Sequence, residues 1–96
     1  MTDPASDPTV QRLRKEISEI DRAIVDAVNA RLELVGRLKR YKETQGIPFL
    51  DPDRERQLLD DVARANRGPL SADGLHELYA GLLDLTKREV TGEESA

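Results

Sequence analysis

Charged and polar side chains occupy positions where the apolar pattern of three predicted helices calls for hydrophobic residues. At 100° per residue, Arg31 lies at the centre of the apolar seam of the first helix, and Lys42 lies within about 20° of it. Asp51 and Glu55 fall on the apolar side of the second helix, and Thr86 is in line with that of the third. A buried unpaired charge is very costly, so these residues must pair with each other or face a polar ligand.

This set of residues admits two interpretations. As structural groups, the two cations would form an ion-pair network with the two carboxylates. As a pocket, the same groups would suit a small dianion that also bears a hydroxyl or an amine. Five polar residues lie on three separate apolar faces, where hydrophobic residues would otherwise add to the core. This loss of hydrophobic burial favours the pocket interpretation. The single histidine, His76, is expected to be a surface residue.

The first predicted helix is unusually long. Apolar residues recur alternately four and three residues apart from Leu13 to Tyr41, and the pattern ends before Pro48. The helix is therefore predicted over about residues 9–44, roughly 50 Å at 1.5 Å per residue. Two shorter helices cannot bury a seam of that length, so we expect an obligate homodimer in which the long helices of both subunits pack together. The alternative is a monomeric three-helix hairpin with a projecting arm.

Two shorter helices are predicted to follow. Asp51 is the predicted N-cap of the second helix, with Pro52 in its first position, and this helix should stop near Asn66. Ser71 is the predicted N-cap of the third helix. The sequence therefore predicts an all-α fold of three helices, one of them very long, forming an intertwined helical homodimer. Its parts are a disordered lead-in at 1–8, a helical domain at 9–91 and a frayed tail at 92–96.

The composition narrows the class of protein. The 96 residues suffice for one domain with a thin core, and 35% charged with 3% aromatic residues suits helices better than a sheet. Because cysteine is absent, disulfide and thiolate chemistry are excluded and a cytoplasmic location is expected. No apolar run approaches the roughly 18 residues of a membrane span, and no signal peptide is recognised. The net charge of −4 argues against nucleic acid, so we expect neither a nucleic-acid nor a membrane partner.

Four pieces of sequence stand in register without a gap: "LRKEISEID" (13–21), Arg31, "KRYKETQGIP" (39–48) and "DPDRE" (51–55). Together they resemble the all-helical class of chorismate mutases, and the resemblance covers roughly residues 10–90. It implies an intertwined homodimer with two equivalent sites, each built largely by one subunit and completed by an N-terminal arginine of the other. The implied reaction is the [3,3] rearrangement of chorismate to prephenate, in the shikimate pathway to aromatic amino acids.

The resemblance implies a role for each matching residue. Arg14, from the partner chain, and Arg31 would grip the two carboxylates of the substrate. Lys42 would approach its enolpyruvyl ether oxygen. Asp51 and Glu55 would hold the substituent at ring carbon 4.

Three further positions complete the site that the resemblance implies. Arg54 would lie beside the side chains of Asp51 and Glu55, at the end of the substrate that carries a carboxylate. A one-residue gap in the third helix places Thr86 where the family has a small hydroxyl residue near a carboxylate. Val90 then falls where many members carry Gln or Glu against the ether oxygen. Valine cannot donate a hydrogen bond, so either Lys42 carries the ether oxygen alone or the substrate differs.

The implied reaction is unimolecular and needs no nucleophile, metal, cofactor or proton transfer. The two arginines would hold the flexible chain over the ring, and Lys42 would be a fixed cation where negative charge grows on the ether oxygen. Three alternatives stay open. They are 4-amino-4-deoxychorismate as the substrate, as in antibiotic pathways, lyase activity on isochorismate, and a catalytically silent helical dimerisation module.

Overall fold

A computed structural model describes residues 6–92 of the chain. Within this range the chain forms three α-helices and no β-strand, which confirms the predicted all-α class. The predicted lead-in and tail fall mainly on residues 1–5 and 93–96, which lie outside the described residues. The helices are α1 (Pro8–Gln45), α2 (Pro52–Ala65) and α3 (Ala72–Thr91).

Helix α1 extends one residue beyond each predicted end. Asp7 caps it, because its Oδ1 accepts hydrogen bonds from the backbone N–H groups of Thr9 at 2.8 Å and Val10 at 3.1 Å. Pro8 takes the first helical position, where a missing N–H costs nothing. At the other end Gly46 has a φ of 66°, which glycine adopts without strain, and the chain leaves the helix there.

Helices α2 and α3 begin with the predicted caps. The Oδ1 atom of Asp51 accepts a hydrogen bond from the backbone N–H of Arg54 at 3.1 Å, and Pro52 is the first helical residue. The Oγ atom of Ser71 accepts one from the backbone N–H of Gly74 at 3.0 Å. These bonds satisfy N–H groups that have no partner inside the helix, which is why both helices start where the sequence predicted.

The chain divides into two compact units, one ending at Glu33 and the other beginning at Leu34. The N-terminal unit is formed by the first part of α1. The C-terminal unit contains the end of α1 and also α2 and α3, and α2 packs against α3. Among residues 6–92 only Leu75 and Thr86 are buried, and both belong to α3 of the C-terminal unit.

Large apolar side chains along α1 are exposed in the single chain. The exposed fraction is between 48% and 62% for a row of residues spaced three, four or more apart: Leu13, Ile17, Ile20, Ile24, Leu34, Leu38 and Tyr41. Burying one such side chain contributes about 1.5–3 kcal/mol, so an open row of this length favours a partner surface. None of the helices within residues 6–92 is long and apolar enough to cross a bilayer.

Candidate active site

Lys42 is anchored at the C-terminal end of α1. Its side chain is half-buried, and its Nζ donates a hydrogen bond to the backbone carbonyl oxygen of Phe49 at 3.3 Å. Phe49 belongs to the connection between α1 and α2, so this bond ties the ammonium to the segment that leads into α2. An ammonium has three N–H donors, and Lys42 can therefore also donate to a ligand oxygen.

The start of α2 carries the two carboxylates that the apolar pattern singled out. Glu55 is half-buried, as that pattern predicted. Asp51 is exposed instead, so its predicted position on the buried side is wrong for the described chain. The reason lies in its backbone: as N-cap, Asp51 has φ −140° and ψ 89°, and the 100° periodicity of the helix does not extend to it. Arg54 is also exposed.

Glu55 forms an ion pair that sequence reasoning missed. Its Oε1 lies 2.9 Å from the Nζ of Lys87 on α3, and the two side chains are 34% and 36% exposed. The cation opposite Glu55 is therefore on α3, whereas the structural interpretation had placed the partner cations on α1. One signal could have pointed to Lys87, because it lies four residues after Leu83 and three before Val90, on the edge of the apolar face of α3.

Thr86 and Val90 lie one turn apart on α3. Thr86 is only 5% exposed, and its Oγ1 donates a hydrogen bond to the backbone carbonyl oxygen of Leu82 at 2.7 Å. Val90 is half-buried. A hydroxyl that donates in this way still has an acceptor lone pair, whereas the valine side chain offers no polar atom at all.

The remaining predicted site residues are in the N-terminal unit. Arg14 is exposed on α1. Arg31 is half-buried, which agrees with its predicted position at the centre of the seam. His76, in the C-terminal unit, is exposed as expected. Among residues 6–92 no three His, Asp or Glu side chains are grouped as a metal ion would need.

The described chain is thus an all-α protein that keeps charged groups half-buried on the apolar faces of its helices. Residues 13–90 match the family model of chorismate mutase type II, and the chain belongs to that family. It is similar to the 4-amino-4-deoxychorismate mutase of Streptomyces venezuelae, with 38% identity over 55 residues, which are 57% of this chain and 53% of that protein.

Two further relatives agree with this assignment. The bifunctional chorismate mutase/prephenate dehydratase of Aquifex aeolicus is 34% identical over 73 residues, 76% of this chain. The chain spans about half the length of the Streptomyces relative and 18% of the Aquifex one. A solved chorismate mutase structure (form II) from Thermus thermophilus superimposes with a TM-score of 0.81 at 26% identity, covering 90% of this chain and 97% of that one.

Proposed function

We propose that this protein is a chorismate mutase, an isomerase that converts chorismate to prephenate. The observation that carries the proposal is the family match over residues 13–90, a range that contains the six charged residues assigned to the substrate by the resemblance: Arg14, Arg31, Lys42, Asp51, Arg54 and Glu55. The substrate would be a small dianion, and the reaction rearranges bonds within that one molecule. The protein must then supply only a restraint on the shape of the substrate and a charge opposite the bond that breaks.

The restraint comes from two arginines. Arg31 and the partner subunit's Arg14 each bind one carboxylate of the substrate and hold the enolpyruvyl chain over the ring. A guanidinium presents two parallel N–H groups to a carboxylate, so each contact fixes orientation as well as position. This removes rotational freedom before the reaction and lowers the entropic part of the barrier.

The charge comes from Lys42. As the C–O bond breaks, negative charge grows on the ether oxygen, and the ammonium of Lys42 donates a hydrogen bond to it. The bond to the Phe49 carbonyl supports this role, because an ammonium held in place needs little reorganisation as the charge develops. With Val90 unable to donate, Lys42 is the single donor that we assign to the ether oxygen.

The ring substituent at carbon 4 is bound at the start of α2. Asp51 and Glu55 accept hydrogen bonds from it, and Arg54 lies beside them at the carboxylate end. Thr86 donates to a carboxylate once its hydroxyl turns away from the carbonyl oxygen of Leu82. Glu55 is suited to this role because it is half-buried, and a carboxylate with less access to water makes stronger hydrogen bonds.

The active unit that we propose is a homodimer, with Arg14 contributed across the interface. The exposed apolar row on α1 supports this proposal, because a single chain leaves those side chains in water. Two-fold symmetry then gives two equivalent sites per dimer. We also propose a cytoplasmic location, which rests on the cysteine-free sequence and is tested by cell fractionation.

A second candidate substrate is 4-amino-4-deoxychorismate. The Streptomyces venezuelae relative, named for activity on it, favours this candidate, and so does Val90 in place of a polar residue. The test is one assay of the purified protein against both substrates. We expect prephenate from chorismate with a higher kcat/KM than for the amino substrate. Absence of turnover of both, by a folded dimer, would support the catalytically silent module instead.

A further inference from the structure

Lys87 adds a cation to the proposed site that neither the apolar pattern nor the family resemblance had assigned. Its Nζ is 2.9 Å from the Oε1 of Glu55, and the pair joins α3 to α2. Three other ion pairs of the described chain, Lys39 with Glu43, Arg56 with Asp53 and Arg64 with Asp61, each lie within one helix. The pair at Glu55 is therefore a tertiary contact, made by one of the two carboxylates proposed to bind the substituent at ring carbon 4.

This contact changes what Glu55 can accept from a ligand. A carboxylate has two oxygens that accept hydrogen bonds, so a Glu55 bound through Oε1 to Lys87 can still accept from a hydroxyl through Oε2. An ammonium group is different, because its charge would lie close to that of Lys87. Like charges at this distance repel, and Lys87 also neutralises the carboxylate that would otherwise attract the ammonium.

We propose that Lys87 determines specificity, favouring a hydroxyl over an ammonium at ring carbon 4 and hence chorismate over 4-amino-4-deoxychorismate. Discrimination of this kind uses a repulsive element against the wrong substrate as well as contacts to the right one. Lys87 acts through Glu55 and is a positioning residue. The inference rests on the proposed function, because it needs the ring substituent to bind beside Glu55.

The experiment compares the two substrates in four proteins. Lys87→Met removes the cation and keeps an unbranched side chain of similar length. Lys87→Arg keeps the cation. Arg64→Met is the matched control, since it removes one positive charge from a pair within α2 that has an N···O distance of 2.7 Å and is well exposed. In each protein, kcat and KM are measured with chorismate and with 4-amino-4-deoxychorismate.

We expect the wild type to prefer chorismate, and Lys87→Met to shift the ratio of the two kcat/KM values about tenfold towards the amino substrate. This shift should come from a lower KM for the amino substrate, with kcat little changed. The reason is that the charge of the ring substituent is the same in the ground state and the transition state. Arg64→Met and Lys87→Arg should keep the wild-type ratio. If Lys87→Met does not fold, Lys87→Gln is measured in its place, which keeps a donor towards Glu55 without the charge.

The possible outcomes separate this inference from the proposed function. An unchanged ratio in the folded Lys87 variant overturns the inference alone. A wild type that prefers the amino substrate overturns the inference and also replaces chorismate with the second candidate substrate of the proposed function. An equal shift in Arg64→Met also overturns it, because the effect would then come from net charge and not from the contact. A wild type that converts neither substrate overturns the proposed function, and the inference falls with it.

Discussion

Lys87 and Glu55 form a tertiary ion pair at 2.9 Å between α3 and α2, and Glu55 belongs to the set of residues that the family resemblance assigns to the substrate. Both side chains are about one-third exposed, and a pair with that access to water contributes roughly 0–1 kcal/mol to stability. The pair therefore matters less for holding the helices together than for the charge that Glu55 presents to a ligand.

Replacing Lys42 tests the proposed charge stabilisation. Lys42→Ala should lower kcat by at least about 100-fold with little loss of fold, because the ammonium stabilises charge that is present mainly in the transition state. The measurement is steady-state kinetics with chorismate, together with thermal unfolding. Lys39→Ala is the control, since Lys39 lies on the same helix and pairs with Glu43 one turn away. Unchanged turnover combined with lost stability would instead support a structural role for Lys42.

Two substitutions of Asp51 separate its capping role from its proposed contact with substrate. Asp51→Asn keeps a side chain that caps helices as well as aspartate does, but it removes the charge. We expect unchanged stability and a raised KM. Asp51→Ala should raise KM and also lower the free energy of unfolding by about 1 kcal/mol, because the backbone N–H of Arg54 loses its partner. A KM unaffected by Asp51→Asn would leave Asp51 with the capping role alone.

Val90 tests the one position that departs from the family pattern. Val90→Gln should raise turnover of chorismate if the chain has merely lost a donor to the ether oxygen. If the native enzyme prefers the amino substrate, the substitution should shift preference towards chorismate. The measurement is kcat/KM for both substrates, with Val90→Leu as an apolar control. No effect of Val90→Gln on either substrate would mean that the gapped placement of Val90 in the site is wrong.

Mixing two inactive variants tests the shared site. Arg14→Ala and Arg31→Ala homodimers should each be nearly inactive, because both of their sites lack an arginine. In a mixed dimer, one site lacks both Arg14 and Arg31, and the other site has both. Random re-association of equal amounts makes about half of the dimers mixed, so roughly a quarter of all sites regain both arginines. Activity near that level after co-refolding is the expected result.

The control for this experiment is proof that subunits exchange, for example with a size-tagged copy of one variant. If exchange is complete and the mixture stays as inactive as its parents, Arg14 does not act across an interface. Each variant should also be refolded alone, because activity regained there would come from the refolding step and not from mixed dimers.

Most of the local structure could be predicted from the sequence. The caps at Asp51 and Ser71 are bonds between residues three apart, so they depend on short segments and on no other helix. The helix bounds follow from these caps and from the glycine at position 46, and the predicted bounds of α1 were within one residue of those found. The helical period also placed Arg31, Lys42 and Glu55 on the apolar faces, where they are half-buried, although Leu34 and Leu38 of the same α1 seam are exposed in the single chain.

Tertiary structure decided which charges meet. Glu55 and Lys87 are on different helices, and nothing in the spacing of either helix specifies the other, so their contact depends on how α2 packs against α3. The apolar pattern also could not predict that Asp51 is exposed. As the N-cap, Asp51 has a non-helical backbone conformation, so the 100° helical period does not apply to it. Helical periodicity is a local property of the chain, whereas an ion pair between helices requires two side chains to meet in three dimensions.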